Sequence, residues 1–211
     1  PDAGVSAVVL NLTATESASA GYLTLHPTGT PRPTASNVNM NGPGATAPNL
    51  AVVPLGDDGR ITVFASHGSH AIGDVVGYVT SDQADADSLG LFVPLTPARV
   101  FDTRPGETAP GEKGYIAPEH AVTTTIAGLA GVPGDASAVV LSVAGVDSGA
   151  GYLTVWNTGV ARPVASTINF ENPPDTRANG VWQRLGEAGS VSFFSKGGGH
   201  VIADVAGYFL P

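Results

Sequence analysis

The chain is written twice. Residues 21–79, which open on Gly21-Tyr22-Leu23-Thr24, realign on residues 151–209, which open on Gly151-Tyr152-Leu153-Thr154, at a constant offset of 130 with no gap. Upstream one residue is lost, so that Ser6-Ala7-Val8-Val9-Leu10 pairs with Ser137-Ala138-Val139-Val140-Leu141. A repeat of this length is a duplicated domain rather than a solenoid of short units. In a chain of 211 residues it implies two domains of about 100 residues each, large enough to bury a core without metal or disulfide staples.

Within each copy the pattern is that of an all-β fold. Apolar residues alternate with small polar ones over short runs bounded by Gly, Pro and Asn, at Val8–Thr13, Gly21–Leu25, Asn37–Met40, Leu50–Leu55, Arg60–Phe64 and Ala71–Val79. Copy two repeats them at Val139–Val143, Gly151–Trp156, Thr167–Phe170, Val181–Leu185, Ser190–Phe194 and Val201–Phe209. Turn signals such as Asn41-Gly42-Pro43-Gly44 and Gly197-Gly198-Gly199 fall between them, and 28 Gly with 17 Pro would break any sustained helical period. This spacing predicts two tandem antiparallel β-sandwich domains, jelly-roll-like in type, over residues 1–80 and 90–211. The short acidic stretch 81–89 reads as a linker. Phe92 to Arg104 reads as an extended segment in which Pro94 and Pro97 exclude helix and a full ladder, and Ala121 to Ile126 as one further strand.

Composition narrows the function classes. A net charge of −9 leaves no basic stripe to displace counterions, which excludes a nucleic-acid partner, and no run of 18 apolar residues exists to span a membrane. Cysteine is absent, so disulfides, thiolate catalysis and cysteine-based metal sites are out of play. The chain opens at Pro1 without an initiator Met or a signal sequence, as expected of a mature product or an excised fragment.

The segment Pro97-Ala98-Arg99-Val100-Phe101-Asp102-Thr103-Arg104, the Gly-Tyr-Leu-Thr and Arg-Pro-x-Ala-Ser runs and the closing Ile-x-Asp-Val-x-Gly-Tyr together resemble a repeat found in secreted actinobacterial proteins. The resemblance covers nearly the whole chain. It implies secretion or display at the cell surface, and an accessory role beside hydrolase catalytic domains, and it brings no catalytic residues. That repeat starts near Pro-x-Arg-x-x-Asp-Thr-Arg. Copy one has no such segment ahead of Pro1, so it is truncated at its N-terminus, or Phe92 to Arg104 packs onto it instead.

The candidate residues follow from what recurs and what does not. His70 and Asp74 recur as His200 and Asp204, about 13 Å apart along a strand and therefore too far to share a metal without a bend. A partly buried Asp74 or Asp204 needs a cation, and the recurrent Arg32 and Arg162 are the expected partners. Arg99, Asp102 and Arg104 are expected to lock their proline-rich segment onto a sheet. His67 and His70 form a His-x-x-His pair that copy two breaks with Gly197, which makes chance spacing a better explanation than zinc. No cofactor is expected; calcium is the nearest candidate, at Asp57-Asp58-Gly59 or at Asp82, Asp85 and Asp87, which lack the Gly and terminal Glu of an EF-hand loop. Among carboxylates only Asp74/Asp204 recurs unchanged, and no Gly-x-Ser-x-Gly elbow occurs, so hydrolase chemistry ranks behind binding.

The non-recurrent aromatics are the better lead. Trp156 answers His26 and Trp182 answers Val52. Strand alternation places Leu153 and Val155 inward and Trp156 outward, beside Asn157, with Arg184 two residues after Trp182. These four residues are the expected ligand-binding set, and a polysaccharide or cell-wall glycan the expected partner. A structural or adhesive surface spacer is the alternative, and a hydrolase the next.

Overall fold

Runs of β-branched and small residues between glycines favour strands over helices in each copy, and the computed structural model contains strands and two isolated 3-10 turns but no α-helix among the residues it describes, 4–81 and 90–211. The chain divides into two units, residues 1–87 and 88–211. The division falls inside the acidic stretch expected as a linker. Residues 82–89, and with them Asp82, Asp85 and Asp87 of the calcium reading, lie outside the described residues.

The first unit contains β1 (Val5–Thr15), β2 (Gly21–Pro27), β3 (Val38–Met40), β4 (Ala47–Pro54), β5 (Ile61–Ala65) and β6 (His70–Thr80). They form two antiparallel three-stranded sheets, ordered β4-β1-β6 and β3-β2-β5. Leu10 and Leu12 from β1 meet Leu23 and Leu25 from β2, with Val38 and Met40 closing one side. The second unit contains β7 (Phe92–Asp102), β8 (His120–Thr125), β9 (Ala138–Ser148), β10 (Gly151–Asn157), β11 (Ile168–Phe170), β12 (Asp175–Arg184), β13 (Ser190–Ser195) and β14 (His200–Phe209). Its two antiparallel sheets have four strands each, ordered β12-β9-β14-β7 and β11-β10-β13-β8. Each unit is thus an all-β, sandwich-type pair of sheets, and β9 to β14 repeat β1 to β6 in the same order.

Copy two differs from copy one by an added strand on each sheet. β7 joins the free side of β14 and β8 joins the free side of β13. The loops around β8 add Ile116, Ile126 and Val132 to a core that also holds Val100, Phe101, Val139 and Phe193. The proline-rich segment was expected to be extended but unable to make a full ladder. It forms an 11-residue strand that pairs from Phe92↔Phe209 to Asp102↔Ile202. Pro94 and Pro97 are tolerated because β7 is an edge strand, and the ladder breaks register between Ala203/Asp204 and Val205/Gly207. β12 starts at Asp175 rather than at the expected Val181, because Arg177 pairs with Gly145 in the ladder and holds Asp175 at 2.9 Å and Glu171 at 3.3 Å.

The recurrent Arg-Pro-x-Ala-Ser loops are fastened identically in both copies. Thr24 Oγ1 donates to the Ala35 carbonyl at 2.6 Å and Thr154 Oγ1 to that of Ala165 at 2.7 Å. Asn49 Nδ2 donates to the Asn37 carbonyl at 2.7 Å, and Asn179 Nδ2 to that of Thr167 at 2.9 Å. These side chains supply donors to loop carbonyls that the sheet ladders leave over. The recurrence of Thr24 as Thr154 and of Asn49 as Asn179 is accounted for by these bonds.

Candidate functional site

Two clusters in the second unit carry the chemistry-bearing side chains, and the first is an ion network at the β7–β14 seam. Asp102 ends β7 with no solvent exposure. Its carboxylate accepts from Arg104 Nη2 at 2.8 Å, Arg104 Nε at 3.1 Å, the Arg104 backbone N–H at 3.0 Å and Arg99 Nη1 at 3.0 Å. Arg99 also crosses to β14, donating from Nε to Asp204 at 2.8 Å and from Nη2 at 3.3 Å. Burial opposes ionisation of Asp102, but the hydrogen bonds from Arg104 and the charges of both arginines outweigh it and hold the carboxyl below the usual carboxylate range. Lys113 Nζ adds a bond to the Asp102 carbonyl at 2.6 Å, and Thr103 Oγ1 accepts the buried Val201 N–H at 2.9 Å. Arg99, Asp102, Arg104 and Asp204 therefore form one network that fastens β7 to the sheet. A shallow depression beside it is lined by Arg99, Asp204, Glu107 and Pro110.

Arg32 and Arg162 do not serve Asp74 and Asp204. The Arg32 guanidinium lies 3.7 Å from the centroid of the Phe64 ring, and Arg162 lies 3.6 Å from that of Phe194. Tyr22 and Tyr152 pack against the same rings at 6.1 and 5.9 Å. The reason is topological. Phe64 and Phe194 belong to the sheets of β2 and β10, whereas Asp74 and Asp204 belong to the opposite sheets. An arginine stacked on a ring satisfies its charge on its own side of the sandwich. Asp204 takes Arg99 instead, and among the described residues no side chain donates to Asp74.

The second cluster is aromatic. Trp182 on β12, Phe92 on β7 and Phe209 on β14 gather on the outer face of the four-stranded β12-β9-β14-β7 sheet, since their neighbour Val181 points into the core. Phe92 and Trp182 are parallel within 6° at 6.5 Å between centroids, and Phe209 sits at 5.3 Å from Phe92 and 5.0 Å from Trp182. Gly207 makes the arrangement possible, because a Cβ there would lie 2.4 Å from the Phe92 ring. Phe92 is 46 % exposed, and Arg184, at the end of the same strand as Trp182, is exposed. Copy one has Val52 and Val79 where Trp182 and Phe209 stand.

Trp156 and Asn157 are elsewhere. They end β10 on the other sheet, so the expected four-residue set is split between opposite outer faces and makes no single site. Trp156 is half-buried, and its indole N–H donates to the Val160 carbonyl at 3.2 Å, bracing the turn through Asn157. Its counterpart His26 is buried and its Nδ1 lies 3.1 Å from the Pro27 carbonyl. Phe92 and Phe209 were missed in the sequence. For Phe209 the signal was present: it replaces an aliphatic residue of copy one, just as Trp182 does.

Several other titratable groups have local partners. His67 Nδ1 lies 3.2 Å from Ser66 Oγ, and His70 Nε2 lies 3.3 Å from Glu16. Asp57 and Asp58 lie in a 3-10 turn, where Asp58 meets Arg60 at 3.7 Å. Lys196 pairs with Glu119, whose carboxyl it holds below the usual range. Among the described residues no helix is long and apolar enough to cross a membrane. No family model, curated protein or solved structure matches the chain.

Proposed function

We propose that this chain is a non-catalytic accessory module of a secreted or cell-surface protein, and that its second unit binds a polysaccharide or cell-wall glycan through Phe92, Trp182 and Phe209. The observation that supports the reading is a cluster of three aromatic rings on a solvent-facing sheet surface rather than in the core. Apolar C–H faces of sugar rings stack on such surfaces, and Arg184 at the rim supplies hydrogen-bond donors for hydroxyls. An open platform desolvates few atoms, so affinity per site should be weak, micromolar to millimolar. An attached catalytic domain would gain from such a module by avidity rather than by tight binding at one site.

The test is retention of the purified chain on insoluble polysaccharides and on peptidoglycan. The expected result is retention that Trp182→Ala and Phe92→Ala each reduce several-fold while Trp156→Ala leaves it intact. Absence of retention, or retention unchanged by both substitutions, overturns the proposal.

A second reading, a structural or adhesive spacer, is favoured by a different observation. β6 is an edge strand, and along it Ile72, Val75, Val76, Tyr78 and Val79 are exposed. Open, apolar edges pair with other chains. Self-association measured by sedimentation across a concentration series separates this reading from the first.

A further inference from the structure

We infer that the first unit carries an acceptor groove for an added β-strand, running along β6 and opening into its core, and that the strand it takes is an extended peptide of the Phe92–Arg104 type supplied by another stretch of polypeptide. The inference stands whether or not the second unit binds a glycan.

The second unit shows what the groove is shaped for. β14 lies between β9 and β7, whereas among the described residues its counterpart β6 is paired by β1 alone. Transferring the β7 register by the repeat offset of 130 places the incoming Asp opposite Ile72, the Phe opposite Gly73, the Arg opposite Asp74 and the leading Phe opposite Val79. The polar and glycine positions that receive β7 in the second unit have counterparts in the first, whereas Trp182 and Phe209, which meet Phe92, are answered by Val52 and Val79. Asp204, which accepts Arg99 twice, is answered by Asp74, to which no described side chain donates. His200, whose Nδ1 lies 3.2 Å from Thr103 Oγ1, is answered by an exposed His70. Gly207, over which the Phe92 ring lies, is answered by Gly77.

The apolar lining agrees with the polar one. Val205 and Val75 are the same residue in the same register, opposite Leu141 and Leu10, yet Val205 has no solvent exposure and Val75 is 67 % exposed. Phe193 is fully buried with Phe101 stacked on it at 5.2 Å, while Val63 at the same place in the first unit is 44 % exposed. A β7-type strand would cover Val75 and set its Phe above Val63. Backbone donors and acceptors on the side of β6 that faces away from β1 supply the affinity, and Asp74 selects a strand with Arg at the facing position. The charge also matches: the segment 91–104 has two Arg and one Asp, and the chain as a whole is at −9.

The test titrates a synthetic peptide of residues 91–104 into the full chain, read by calorimetry and by amide chemical shifts. The expected result is saturable 1:1 binding in the micromolar range, with shifts concentrated at residues 72–79. A peptide with Ala in place of the residue that corresponds to Arg99 should bind at least tenfold more weakly, which needs no change in the protein. Asp74→Asn should give a loss of the same size, and should weaken the two peptides to a common level. Lack of saturable binding, shifts confined to β14 through exchange into the second unit, or equal binding of both peptides overturns the inference. So does concentration-dependent dimerisation without peptide that the peptide does not compete away, since the groove would then take a second copy.

Discussion

At the scale of single residues, the most strongly constrained side chain is Asp102. It has no solvent exposure and its two oxygens take four donors, so neither charge nor geometry can change cheaply. Asp102→Ala should destabilise the second unit by about 3 kcal/mol, since removing one partner strands the others, and a loss of that size lowers Tm by roughly 10 °C. The pH dependence has a definite sign. The folded-state pKa of Asp102 lies below its unfolded value, so its contribution is complete above about pH 4 and disappears as pH falls through the depressed value. Tm of the native chain should therefore fall more steeply below pH 4 than that of Asp102→Asn. Parallel curves would remove Asp102 from the acid response. Arg104→Ala should lower Tm at neutral pH, with no change in glycan retention. Loss of retention at unchanged Tm would assign Arg104 to a binding role.

At the scale of elements, β7 shows where sequence reasoning succeeds and where it stops. Its extended character is legible because prolines forbid helix, and its Arg-x-x-Asp spacing is legible as a lock because those groups need partners. Its sheet was not legible, since both copies offer a strand with His, Asp and Gly at matching places. Only the intact ladder, from Phe92↔Phe209 to Asp102↔Ile202, decides for β14. The six strands of each copy were readable from alternation, with ends extended where neighbours prolong the ladder, as at β1 and β12. Arg32 and Arg162 show a second limit. Charge is visible in a sequence, but which side of a sandwich a loop falls on is not, and an aromatic ring on the near side displaced the expected carboxylate on the far one. The aromatic cluster was half legible: alternation turns Trp182 outward, but only the four-strand sheet brings Phe92 to it. Gly207→Val tests that geometry at this scale, because the new side chain must displace the Phe92 ring. It should disrupt the Phe92–Trp182 arrangement and quench or shift Trp182 fluorescence, while unchanged emission would show that the ring does not depend on the glycine.

At the scale of the whole molecule, the two units share a strand order and, among the described residues, differ in how far each core is covered. The second buries its core under β7, β8 and the loop residues Ile116, Ile126 and Val132. The first leaves Val75 and Val63 open at the matching places. Apolar surface left in water contributes nothing to stability, at about 25 cal/mol per Å² of burial forgone, and an edge strand lacks half its ladder. The first unit should consequently open more readily. Native-state hydrogen exchange is the direct measure, because local opening scales with how much buried contact must be lost. Amides of β6 should exchange at least tenfold faster than those at the same repeat positions in β14, and amides of β5 faster than those in β13. Equal protection in the two copies would mean that β6 is already covered in solution, and the acceptor groove would be occupied rather than waiting. Addition of the 91–104 peptide should raise protection along β6 toward the level of β14 and leave β14 itself unchanged, which ties the difference in stability to the missing strand rather than to the differing residues of the two cores.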